Sequence, residues 1–130
     1  MARQTVKIHV SSNNAKGGVL NVKVTPWRLH LNADDYAEWE LDTTGPARND
    51  IIWFRVEQID RVNMWPFLPP APPDAIYTGT APSKKATSSA RDTTANKVGD
   101  VISYGLTICF KDDAGQLRTM YIDPDMVIDS

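Results

Sequence analysis

Cysteine and histidine are scarce in this chain of 130 residues, with one of the first and two of the second. A lone thiol, Cys109, cannot close an internal disulfide, and no Asn-x-Ser/Thr glycosylation acceptor occurs. Both absences fit a reducing cytoplasm. Nor is there an excess of positive charge: 14 basic and 16 acidic residues give a formal charge of -2. They are mixed along the chain, with no basic stripe that could neutralise a run of phosphates, so nucleic acid is not expected as a partner. No apolar run approaches membrane-spanning length, and the opening MARQTVKIHV has no signal-like apolar region or cleavage site. A membrane is therefore not an expected partner either, and the expected location is cytoplasmic.

Catalytic signatures are missing as well. There is no G-x-S-x-G elbow, no cysteine with a recognisable histidine partner, no phosphate-cradling glycine loop and no zinc-ligand spacing. DDAG at 112 to 115 is too short for a calcium loop and is expected to be a hairpin turn. Glu38 and Glu40 share one face of a strand and are expected to be its wet side. His9 and His30 fall on the polar phase of their strands and read as surface imidazoles. The expectation is a protein that is not an enzyme and needs no cofactor.

What the chain does have is alternation. A hydrophobic content of 42% is enough for one core, and the length fits one domain spanning 1–130. Val6, Ile8 and Val10 alternate with Thr5, Lys7 and His9. Leu20, Val22 and Val24 share a face, as do Trp27, Leu29 and Leu31 after Pro26. Ala37, Trp39 and Leu41 oppose Tyr36, Glu38 and Glu40. Near the end, DVISYGLTICF and LRTMYI flank KDDAGQ as a hairpin, and DPDMVID is expected to add a strand after Pro124. Short strands at this spacing predict an all-β fold, an antiparallel Greek-key β-sandwich of seven or eight strands.

Two stretches break the pattern. IIWFRV at 51 to 56 is apolar on both faces, so strict alternation puts Ile51, Trp53 and Arg55 on one side and Ile52, Phe54 and Val56 on the other. One set enters the core, and the other is covered or forms an apolar surface. Residues 63–99 carry no convincing period and are expected to be one long irregular loop. It starts with MWPFLPPAPPD, in which Pro66 and Pro69, then Pro70 and Pro73, keep the PxxP spacing. Trp65, Phe67 and Leu68 either fold back as a lid or are offered to a partner. Residues 64 to 77 are expected to dock and residues 80 to 97 to be mobile.

VKVTPWRLHLNADDYAEWEL, VGDVISYGLTICF and the DPDMVID ending resemble the cupredoxin pattern, as found in small bacterial proteins with a cupredoxin-like sandwich and no copper. The resemblance implies a cupredoxin-like or immunoglobulin-like sandwich. A type 1 copper centre needs two imidazoles, a thiolate and an axial ligand. Cys109 matches the thiolate and Met120 could be axial, but no histidine lies between them. Cys109 also follows Tyr104 by five residues where the family pattern has four, which turns it to the opposite face. The expected function is therefore protein binding or self-assembly without a type 1 copper site, with Ile51, Trp53, Trp65, Phe67 and Leu68 as candidate contact residues. Two alternatives stay open: a metal-binding or redox protein using Cys109, and an enzyme with an unrecognised site.

Overall fold

The computed structural model describes residues 2–10, 21–42, 51–59, 62–68 and 85–130, and the backbone of 75–78. The described residues form strands and no helix. The strands are β1 (Ala2–Val10), β2 (Val22–Thr25), β3 (Arg28–Leu31), β4 (Asp35–Leu41), β5 (Ile51–Gln58), β6 (Ala75–Thr78), β7 (Lys85–Thr87), β8 (Val101–Lys111), β9 (Leu117–Ile122) and β10 (Asp125–Ile128). Among these residues no helix is long and apolar enough to cross a membrane.

Two sheets result. One has four strands in the order β2-β1-β4-β7, and the other has six, ordered β3-β10-β8-β5-β6 with β9 also paired to β8. The expected count of seven or eight strands is thus too low. The expectation of a purely antiparallel arrangement is also corrected: β1 runs parallel to β4, and β3 runs parallel to β10. The cause is the route of the chain. After β2 it passes the cis Thr25–Pro26 bond, enters the other sheet as β3, and returns to the first as β4 in the direction of β1. β9 and β10 lie end to end along one edge of β8, with the Tyr104 N–H donating to the Pro124 carbonyl (3.0 Å) where proline interrupts them.

Side chains from both sheets share one core. Val6, Ile8, Ala37, Trp39 and Leu41 come from the four-stranded sheet, and Leu29, Leu31, Phe54, Val56 and Met126 from the six-stranded one. Strand β8 shows the period-2 logic most plainly. Ile102, Tyr104, Leu106, Ile108 and Phe110 all point inward and are essentially inaccessible, while Cys109 faces the other way. Trp39 and Tyr104 meet edge to face, ring centroids 5.5 Å apart, joining the two sheets at their centre.

Strand β5 departs from strict alternation. Ile51 pairs with Phe110 but Trp53 pairs with Cys109, so two steps on β5 match one on β8. This bulge leaves Ile52 as the extra residue and shifts the phase. Ile51, Phe54 and Val56 enter the core together, and Trp53 turns outward, half-buried. An apolar surface shared by Ile51 and Trp53 is therefore ruled out.

Candidate functional site

The stretch expected to be a single irregular loop contains β6, β7 and an ordered end-cap. β7 is short and mostly polar, and it is held by β4 rather than by a face of its own. Its central residue, Ala86, sits inward opposite Trp39. Beyond it, the Ser88 N–H donates to the Ala37 carbonyl (2.8 Å), and the Ala37 N–H donates to Ser88 Oγ (2.8 Å) in place of a carbonyl. The next ladder bond runs from the Arg91 N–H to the Asp35 carbonyl (2.9 Å). Three steps on this segment match two on β4, a second bulge, which Ser88 makes possible by supplying its hydroxyl. Arg91 is thereby placed beside Asp35.

The proline-rich segment pairs with the outer side of this extension. The Leu68 N–H donates to the Ala90 carbonyl and the Asp92 N–H to the Pro66 carbonyl, both at 2.8 Å, so that Phe67 bridges Arg91. Asparagine side chains tie the surrounding turns. Asn63 donates to the Val101 carbonyl (2.9 Å) and Asn96 to that of Met64 (3.0 Å). Asp92 accepts from the Thr94 N–H and hydroxyl, and Gly99 takes a φ of 92° to turn the chain into β8. The expectation that 80 to 97 is mobile is thus corrected for 85–97, which side-chain-to-backbone bonds and pairing to β4 fix in place. Residues 69–74 and 79–84 lie outside the described residues.

Trp65, Pro66 and Phe67 are buried in succession, and Met64 and Leu68 are exposed on either side of them. Trp65 and Phe67 point inward, 8% and 3% exposed, in edge-to-face contact at 5.6 Å. They are lid residues and present no surface. Leu68 is 43% exposed, and Met64 is 63% exposed. Val62 and Val98 are exposed on the same pair of stitched turns. Of the five candidate contact residues, Ile51, Trp65 and Phe67 belong to the interior, and Leu68 and Trp53 reach the surface on different parts of the molecule. Val62, Met64 and Val98 were not anticipated.

Trp53 stands on the outer face of the six-stranded sheet, opposite Cys109, with the Arg55 guanidinium 5.9 Å above its ring. Tyr121 passes close over Gly105 on this face. A shallow cleft of about 380 Å³ is lined by Cys109, Leu117, Arg118 and Thr119. The thiol there is a poor nucleophile: burial pushes its pKa up, and the neighbouring Arg118 is spent on Asp112 at 2.6 Å. Asp112 also accepts from the Ala114 and Gln116 N–H groups, so DDAG is the hairpin turn expected, with Gly115 at φ 78°. His9 contacts Asp42 at 2.8 Å and His30 contacts Asp129 at 3.0 Å, in different sheets and away from Cys109. Among the described residues no three His, Cys, Asp or Glu side chains are grouped to hold a metal ion.

Compared with known proteins, the chain matches no family model and is similar to no curated protein.

Proposed function

We propose that this chain is a non-catalytic, cytoplasmic binding module on a cupredoxin-like Greek-key sandwich without a type 1 copper site, and that it engages a second protein chain or a copy of itself. The contact surface is the end-cap, where Val62, Met64, Leu68 and Val98 stand in water. The observation that supports it is the combination of exposure and anchorage. Val62, Met64 and Val98 sit on turns clamped by Asn63 and Asn96, Leu68 is anchored by its N–H to the Ala90 carbonyl, and the buried Trp65 and Phe67 lie in the same segment. A preorganised apolar surface loses little entropy when a partner covers it, and it is a place where soluble proteins make contacts. Cys109, buried and far from both imidazoles, lends the redox alternative no comparable support.

The test is sedimentation and pull-down of the wild type beside Met64→Lys/Val98→Lys. Association by the wild type, lost in a double variant of unchanged thermal stability, is expected. A wild type that stays monomeric at high concentration and retains no partner from lysate defeats the proposal.

A further inference from the structure

Arg91 is a charged residue in an apolar place. It stands between Asp35 and Phe67 on the inner side of the end-cap and is 5% exposed. Its Nε and Nη1 atoms are fully buried and meet no hydrogen-bond acceptor. The two acids near it are committed elsewhere. Asp35 Oδ2 accepts from the Asn32 N–H (2.8 Å) and from Gln4 Nε2 (3.1 Å), and Asp92 Oδ1 accepts twice from Thr94. Desolvation outweighs the attraction of both and weakens the hold of Arg91 on its proton. A buried guanidinium without a bonded counter-ion is among the most costly arrangements a core can contain.

A second unsatisfied donor lies in the same cap. Trp65 Nε1 is buried without an acceptor, on a ring packed against Phe67, which is itself paired with Arg91. Donors without acceptors select a ligand made of acceptors. Nε belongs to the side-on fork of the guanidinium and Nη1 to the end-on fork, so an acceptor oxygen such as a carboxylate's can be met from either side. Asp35 and Asp92 act on this site and repel any anion, a dianion such as phosphate more strongly than a carboxylate, so one negative unit is favoured over two. Asn96 Oδ1, also buried and unpartnered, is an acceptor and takes no part.

We infer that Arg91, with Trp65 as a further donor, forms a binding site for a carboxylate group beneath the end-cap. The carboxylate comes either from a small monocarboxylic acid or from an acidic side chain of a protein ligand. This site does not depend on the apolar surface outside it. The probes are sodium acetate and a blocked Ala-Glu-Ala tripeptide, with sodium chloride at matched ionic strength and inorganic phosphate as controls. The expected result is a saturable rise in the wild-type thermal midpoint with acetate, larger than with chloride or phosphate and absent in Arg91→Met. A response to the tripeptide at lower concentration than to acetate assigns the site to a protein ligand, and the reverse assigns it to a small acid. In parallel, acetate should move one arginine Nε–Hε signal of the wild type in a 15N-correlated spectrum, which keeps the test decisive where Arg91→Met fails to fold. Equal responses to acetate and chloride, an undiminished response in Arg91→Met, or no shifted Nε–Hε signal overturns the inference.

Discussion

Replacing Phe67 by alanine measures whether the end-cap is part of the cooperative fold. Phe67 is 3% exposed, touches Trp65 edge to face and is paired to Arg91. A phenylalanine withdraws about 150–250 Å² from water, which at about 25 cal/mol per Å² gives an upper figure of roughly 4–6 kcal/mol. The alanine methyl keeps part of this, and a compact denatured chain has already buried some, so about 3 kcal/mol remains, within the range of Phe→Ala truncations in cores. If the cap unfolds with the sandwich, the whole loss appears as a lower urea midpoint at unchanged slope. For a slope of about 1.5 kcal/mol per molar, the fall is about 2 M. If the cap opens by itself, the variant loses only the small free energy of that opening, and the global midpoint stays where it was. Trypsin distinguishes the two independently. Cleavage after the buried Arg91 should be slow in the wild type and fast in Phe67→Ala. A loss below about 0.5 kcal/mol, the size of an ordinary surface substitution and a midpoint shift of only about 0.3 M, refutes the claim that Phe67 and Trp65 close the core.

Three further outcomes are expected. Tyr104 is raised well above its ordinary value of 10.0, chiefly by burial, so its contribution is fully present below the unfolded value and is lost as pH rises from there towards the folded one. Stability should fall by about 1.4 kcal/mol per pH unit in that window, and Tyr104→Phe should flatten this alkaline limb in urea titrations; an unchanged limb counts against the assignment. Asp112 is held below the usual carboxylate range, first by the Arg118 hydrogen bond and then by the Gln116 N–H. Its stabilisation is present above the unfolded value and lost as pH falls through the folded one, so Asp112→Asn should show a shallower acid limb and faster amide exchange at 112 to 117, and an acid limb identical to wild type would exclude it. A Cβ on Gly105 would lie 2.8 Å from Tyr121 Cε2 and 2.9 Å from its hydroxyl. Because Tyr121 is half exposed and can swing away, Gly105→Ala should cost only about 1 kcal/mol, and the added loss should vanish in Gly105→Ala/Tyr121→Ala.

The strands most legible in the sequence are those with one wet and one dry face. β1, β4 and β8 alternate in their apolar residues, and their inward sets, from Val6 and Ile8 to Tyr104 and Leu106, are the ones the core contains, although Glu38, expected on the wet side of β4, and Cys109 on the outer face of β8 are buried as well. The parallel pairings were not legible, because face alternation carries no information on direction. Only the crossing at Pro26, where the chain changes sheets, decides it. β5 failed for a different reason. With apolar residues in both phases, nothing local fixes which enters, and a single extra residue, Ile52, lets Ile51 and Phe54 face the same way.

The end-cap was misjudged because its order comes from other strands. Lys85 to Thr87 offers one small apolar residue to the core, too little to mark a strand by hydrophobicity, yet β4 supplies an edge whose N–H and carbonyl groups need partners. Polar residues are suited to that task. Ser88 can stand in for a carbonyl, Asp92 closes a turn, and Asn63 and Asn96 reach backbone oxygens that no strand satisfies. A composition that suggests mobility is therefore also one that can knit irregular backbone, and the two differ only in whether an unpaired edge lies within reach. Arg91 follows from the same logic. Without the bulge at Ser88, the residue opposite Asp35 would be Ala90, a small neutral neighbour for the start of β4. The extra residue puts a guanidinium there instead, and it turns a position that charge alone would assign to the surface into an unsatisfied donor within the core.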